Sequence, residues 1–485
     1  MRGAEKVGRS IFWALVESGG MVGLSFLVML FMARSLGPAE FGIASFGFML
    51  MQLLSLLPFS LYEPLVQHKH LTREVLDTGF WLSILAGIGS ALILAIGGPL
   101  LAEAFEFHGA SAPTIAFATV LLLKGLVIVP RARLARTMRF RQIAIRSLSG
   151  RLFGGLAGVI IAYLGYGAWA LVAQQIIGEA VAAIVILRFG GHRPSWRFAG
   201  RTARGLLKFS AVWTIGEFSA MGGSRITQLA LGSLFGPSTL GFVNLAQRMV
   251  ETPRSVAFTA VSAVSVSVLS RHAGNGAKLG ENFAESAGFA AFFAMPLFVT
   301  FAVLAPDIIG LVVGVQWIDS VPYLRVLALS TAFTAWSVFV NSVASATGKP
   351  IWRVVATSGE FVIVIATLMA TAPLLGPLSG PISLAAGAAL MVPVRLLIVS
   401  HLTGCTLTSL GRRIVAPAIA ASLMGMAMVS VPWEGTGAAV AKASIGLLVY
   451  FPVLLLIDRE MLMRRFALMI KVVLPWFTKA KPLGA

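Results

Sequence analysis

Apolar residues run along this chain in long blocks broken by short polar gaps. A helical bilayer crossing takes about 20 apolar residues, and about fourteen blocks qualify. They lie at 11–34, 41–62, 79–101, 113–130, 148–163, 168–188, 209–234, 239–270, 283–305, 321–346, 351–372, 378–402, 413–431 and 439–457. The fold expected is all-α, a polytopic membrane protein of about 14 transmembrane helices. The block at 11–34 follows a basic start, as a signal peptide would. It is too long for a signal h-region and has no clear small-residue cleavage site, so it is expected to remain as a span.

The gaps alternate in charge. Lys and Arg crowd every second one: Arg2, Lys6 and Arg9; Lys69 and Arg73; Arg131, Arg133, Arg136, Arg139, Arg141 and Arg146; Arg188 to Lys208. Weaker groups follow at Arg271 and Lys278, Lys349 and Arg353, and Arg412 and Arg413, before a basic stretch from Arg459 to Lys481. The opposite gaps hold Glu40, Glu103, Glu106, Asp307, Asp319 and Glu434, with Arg34 the exception. Basic residues near helix ends stay cytoplasmic, so the alternation predicts a polytopic inner-membrane-type protein with both termini cytoplasmic.

Composition agrees with the blocks. At 57% hydrophobic and 12% charged, the chain is far more apolar than a soluble domain. Its formal net charge of +19 invites a nucleic-acid reading, but the bases are dispersed over short loops and tails, where topology already accounts for them. Membrane lipids with anionic headgroups are the expected partners of those bases. Cys405 is the single cysteine, which excludes an intrachain disulfide and a cysteine metal site, and the six histidines show no ligand spacing. No metal or cofactor is called for. Phosphate-loop, zinc-protease and nucleophile-elbow signatures are absent, so no enzyme is expected.

The chain repeats itself. SIFWALVESG at 10–19 returns as SAVWTIGEFS at 210–219, pairing Trp13 with Trp213 and Glu17 with Glu217. SLGPAEFG at 35–42 returns as LFGPSTLG at 234–241, pairing Pro38 with Pro237 and Gly42 with Gly241 at an offset of 199. Six helices separate the copies, an even number, so the two halves are parallel repeats, with a substrate site expected between them near the midplane. The expected division is an N-terminal six-helix lobe at 8–188, a cytoplasmic linker at 189–208, a C-terminal six-helix lobe at 209–402, a final helix pair at 413–457 and a basic amphipathic tail at 458–485.

Ionisable groups in hydrocarbon are costly and face an interior or a wet cavity. Asn244, Gln247, Arg248, Glu251, Arg254 and Ser255 fall at i, i+3, i+4, i+7, i+10 and i+11, one stripe down one face of the eighth helix. Glu217, Ser224, Arg225 and Gln228 stripe the helix before it. Arg225 and Arg248 come out at similar depth, as candidate cavity cations; the alternative is an internal ionic staple of Arg248, Glu251 and Arg254. Lys124 and Gln52 are the N-terminal candidates. Glu17, Glu179, Glu217 and Glu251 are candidates for proton coupling, Glu217 first because basic residues stripe its half. Arg325 and Arg395 sit nearer helix ends, where snorkelling accounts for them. Glu360 is central in its helix with no partner named by the sequence.

The runs LVQHKHLTREVLDTGFW (65–81), ARLARTMRF (132–140), YLGYGAWALVAQQ (163–175) and LGFVNLAQRMVETP (240–253) resemble the oligosaccharide flippases of the polysaccharide transporter family, the colanic-acid-exporter-like subgroup most of all. The resemblance covers about residues 8 to 405. It implies the multidrug/oligosaccharidyl-lipid/polysaccharide exporter fold, two six-helix bundles arranged as a V plus two further helices. It also implies that the chain moves undecaprenyl-pyrophosphate-linked sugars between leaflets. The family's cavity bases match Arg225 and Arg248; Thr227 stands where the family often has Asp. The implied partners are a lipid-linked anionic oligosaccharide and the polymerase and glycosyltransferases of the same pathway. The rival readings are a cation-coupled multidrug extruder of the same fold and a membrane-embedded polysaccharide polymerase or ligase. The first calls for an acidic cavity, the second for a long outer loop.

Overall fold

The structure is a computed structural model that describes residues 2–68, 70–191, 194–271, 276–347, 349, 351–405, 407–432, 435–459 and 463. Lys69, Arg193, Glu434 and nearly all of the expected basic tail lie outside the described residues, which contain helices and no strand.

The chain opens with α1 (Arg2–Ser35), α2 (Pro38–Leu54) and two short turns, α3 (Leu56–Phe59) and α4 (Tyr62–Gln67). Next come α5 (Arg73–Ala104), α6 (Ser111–Arg136), α7 (Phe140–Tyr163), α8 (Trp169–Gly190), α9 (Gly200–Phe235), α10 (Pro237–Arg271) and α11 (Gly276–Val303). The remainder is α12 (Ala305–Ile308), α13 (Val321–Thr334), α14 (Phe339–Ala346), α15 (Ile351–Leu375), α16 (Ser379–Thr403), α17 (Leu407–Val429) and α18 (Thr436–Ile457).

Nine stretches among the described residues are apolar and long enough to cross a membrane, one of them, Ile351–Thr403, holding both α15 and α16. Composition does not admit α9 and α10, because their polar stripes break the apolar run. The block expected at 321–346 is interrupted by a 3-10 turn at Ala335–Val338. The gap expected at 306–320 is not an open loop but a π turn (Ile309–Val313) followed by a 3-10 turn (Val315–Ser320).

Two compact units emerge from the packing. The first comprises Met1–Val256, Ile309–Tyr323 and Thr357–Gly387. Small residues let its helices approach closely, the usual device where lipid removes the hydrophobic drive between helices. Gly150 and Gly154 of α7 lie against α8, where an added Cβ would stand 2.7 Å from the Gly178 carbonyl and 2.4 Å from that of Gln174. Trp317 is fully buried, edge-on to Phe41 and Phe242, and its Nε1 donates to the Ala33 carbonyl at 2.7 Å. Arg34, the base out of place in the charge pattern, donates to the carbonyls of Leu311 (2.6 Å) and Val312 (3.0 Å). It thereby satisfies backbone oxygens that the π turn leaves free.

The stretch between α8 and α9 is tied to the start of α5. Buried Asp77 accepts from the Ser195 amide at 3.2 Å and from the Ser195 hydroxyl, and Trp81 donates to the Ser195 carbonyl at 2.9 Å. Trp196 stacks on Trp81 at 4.3 Å.

The second unit comprises Ala257–Ile308, Leu324–Ala356 and Ala388–Ala485. Within it the Tyr450 hydroxyl donates to the Phe292 carbonyl at 2.8 Å, and Arg413 meets Glu285 at 3.6 Å. Arg325 is exposed, in keeping with snorkelling, whereas Arg395 donates to the Ser337 hydroxyl at 2.9 Å. That bond turns Arg395 inward toward the broken helix, where the sequence reading has it reach for the membrane surface.

Candidate functional site

The two polar stripes meet. Ser224 of α9 donates to the Gln247 amide oxygen of α10 at 3.3 Å, and Arg225 donates to Gln228 one turn along at 3.3 Å. Arg225 lies ten residues from the Phe235 end of α9 and Arg248 eleven from the Pro237 start of α10. At about 1.5 Å per residue both stand about 15–17 Å along their helices, at one level. Each is half-buried, and the two guanidinium groups are within electrostatic range of one another.

Arg248 rests on aromatic faces, 5.3 Å from the ring centres of both Phe41 and Phe48 on α2. A desolvated cation over two rings gains roughly 2 kcal/mol or more, which holds Arg248 in place without neutralising it. Among the described residues neither Arg225 nor Arg248 makes an ion pair. The staple expected of Arg248, Glu251 and Arg254 forms only in part: Arg254 grips Glu251 with two bonds, of 2.7 and 2.8 Å, on the exposed end of the stripe.

The surrounding polar atoms are left wanting. The Oδ1 of Asn244, Oε1 of Gln52, Oγ of Ser45, Oγ1 of Thr227 and Nε2 of Gln228 are buried with no partner among the described residues. A buried polar group without a partner costs free energy that a bound hydroxyl, amide or water would recover.

Lys124 and Glu179 fall into a cluster of their own. Glu179 accepts from Arg146 at 2.7 Å, a pair whose side chains are only 19% and 10% exposed. Lys124 is half-buried within electrostatic range of Glu179, Arg146 and Arg131. Glu17 accepts from the Ser147 hydroxyl at 2.6 Å, a contact inside its own repeat. Glu217 is half-buried on α9, and Glu360 lies on α15 beside Gly387, 3.6 Å from where a Cβ there would stand.

Three cations escaped the sequence reading. Arg131 and Arg146 were assigned to a loop, because the block boundaries were set by hydropathy, and Arg151, inside the block at 148–163, was not singled out. In the structure α6 runs on to Arg136 and α7 begins at Phe140, which carries Arg131 and Arg146 into the same helices as their neighbours. Arg131 lies over the rings of Tyr62 (5.0 Å) and Phe59 (5.4 Å). The signal available was the glycine at every fourth position, Gly150, Gly154 and Gly158, which marks a buried crossing next to Arg151.

Residues 31–322 match the family described as "Polysaccharide biosynthesis protein". The succinoglycan biosynthesis transport protein ExoT of Rhizobium meliloti is 25% identical over 346 residues, 70% of this chain and 69% of that one. The lipopolysaccharide biosynthesis protein WzxC of Escherichia coli is 21% identical over 333 residues, 67% of each chain. Among solved structures, the inward closed conformation of the lipid II flippase MurJ superposes with a TM-score of 0.76 at 13% identity, over 93% of this chain and all of that one. The inward-facing conformation of a multidrug resistance MATE family transporter of the MOP superfamily gives 0.60 at 13% identity, over 81% and 99% of the two chains. The chain belongs to the polysaccharide biosynthesis protein family and has the fold of these flippases and transporters.

Proposed function

We propose that this member of the family is a flippase that carries an undecaprenyl-pyrophosphate-linked oligosaccharide across the inner membrane for surface polysaccharide assembly. One observation carries the reading: Arg225 and Arg248 stand at one level on two neighbouring helices, and among the described residues neither forms an ion pair. A pyrophosphate cannot cross about 30 Å of hydrocarbon unaided. Two fixed guanidinium groups replace its hydration with forked hydrogen bonds, and the orphaned amides and hydroxyls around them suit a sugar. The polyprenyl tail stays in lipid, and no covalent bond changes. The halves at 8–188 and 209–402 move as the alternating bodies, with both termini cytoplasmic.

The multidrug extruder is the weaker reading, because organic cations want carboxylates where this chain holds guanidinium groups. The test is polysaccharide export in a strain that depends on this protein. Arg225→Ala and Arg248→Ala should abolish export at unchanged protein level, and Lys should restore it in part, since a point charge lacks the fork. Full export by a stably inserted Arg248→Ala protein refutes the proposal.

A further inference from the structure

Arg151 of α7 lies just over one helical turn from Arg146 and takes no part in its ion pair. It is half-buried, and among the described residues it makes no hydrogen bond and no ion pair. Helix geometry fixes its level. Arg151 is twelve residues from the Tyr163 end of α7, Arg225 ten from the Phe235 end of α9 and Arg248 eleven from the Pro237 end of α10. All three ends belong to the gaps poor in Lys and Arg, so at about 1.5 Å per residue the three guanidinium groups stand about 15–18 Å below the same face. Across that level, Arg248 is within electrostatic range of both Arg225 and Arg151.

Packing leaves room for this. Gly150 and Gly154 face α8, while Ser147 and Gly155, one turn to either side of Arg151, meet Glu17 and Val28 of α1. Around that level α1 carries Gly19 and Gly23, each with no atom within 4 Å of where a Cβ would stand.

Charge counting separates a ligand contact from a structural one. Glu179 is the carboxylate within electrostatic range of Arg151. It is already bonded to Arg146, and Lys124 lies within its range as well. Arg131 is within its range too, so one carboxylate serves four cations.

We propose that Arg151 is the third guanidinium of a single anion site, shared with Arg225 and Arg248, that grips both phosphates of a pyrophosphate ester and so prefers it to a monophosphate. The proposal rests on the flippase reading. Two phosphates offer more forked contacts than two arginines can satisfy, whereas a single phosphate does not need the third.

The experiment is calorimetric titration of the full-length protein in lipid nanodiscs with farnesyl pyrophosphate and with farnesyl monophosphate. Losing one hydrogen-bonded charged contact should weaken pyrophosphate binding by Arg151→Gln about 10–100-fold and leave monophosphate binding nearly unchanged. Adding Glu179→Gln should not restore affinity. Wild-type pyrophosphate affinity in a folded Arg151→Gln protein overturns the proposal, and so does its return in the Arg151→Gln/Glu179→Gln double variant, which would make Arg151 a neutraliser of Glu179. If Arg151→Gln does not fold, Arg151→Lys takes its place, and an undiminished preference for pyrophosphate overturns the proposal. A wild-type protein that binds neither probe, or an Arg225→Ala variant that binds both normally, instead overturns the flippase reading and this inference with it.

Discussion

Gly42 of α2 lies so near the Pro237 carbonyl at the start of α10 that a Cβ on it would stand 1.8 Å from that oxygen. Gly241 stands in the same relation to the Pro38 carbonyl, at 2.2 Å. Gly42 matches Gly241 and Pro38 matches Pro237 in the internal repeat, so the contact is reciprocal, as a two-fold axis through the repeat requires.

Any side chain here must part the helices, because the obstacle is backbone. In Gly42→Val and Gly241→Val, the distance between spin labels at Ala39 and Ser238, both exposed, should lengthen by several ångströms in pulsed electron resonance. An unchanged distance distribution contradicts the contact.

The buried Arg146–Glu179 pair should matter to stability. Removing one partner leaves a charge uncompensated, at a cost of about 3–5 kcal/mol. Arg146→Ala and Glu179→Ala should each melt well below the wild type, whereas Arg146→Met with Glu179→Leu should melt close to it. Equal melting of all four proteins would show that the pair does not form.

The Arg254–Glu251 pair is 36% and 58% exposed, so solvent screens it. Glu251→Gln should change stability by less than about 1 kcal/mol. A loss as large as that for the Arg146 pair would place Glu251 in a drier setting than its exposure implies.

Topology is checked by thiol labelling in a Cys405→Ala background. A cysteine at exposed His108 should react with a membrane-impermeant reagent in spheroplasts, and one at exposed Thr137 should react only after lysis. The reverse pattern would invert the orientation and the direction of transport.

The sequence reading puts proton coupling first at Glu217, because basic residues stripe its half. In proteoliposomes Glu217→Gln should flip its lipid-linked substrate with no response to an imposed pH gradient. A response equal to that of the wild type removes Glu217 from the coupling.

Much of this protein was legible from one dimension. Apolar blocks define membrane helices because backbone polar groups must be satisfied inside the segment. Repeated dipeptides such as Gly37-Pro38 and Gly236-Pro237 revealed the duplication because they fix a turn wherever they recur. The stripes of α9 and α10 were readable because helical periodicity places i, i+3, i+4 and i+7 on one face.

Other features depended on which helix lies against which. Hydropathy ended the fourth apolar block at 130 and began the next at 148, so Arg131 and Arg146 read as loop charges until the helices were seen to continue past them. Arg34 looked like an exception to a charge rule, yet its role is to bind the Leu311 and Val312 carbonyls, far away in sequence. Arg248 could be placed on its stripe by counting, but its seat on Phe41 and Phe48 comes from a different helix. Sequence determines periodicity and local turn chemistry, because both are set by neighbours along the chain. Partners for a buried charge are supplied by segments far apart in sequence, so only the tertiary structure decided which cations form an ion pair and which, among the described residues, do not.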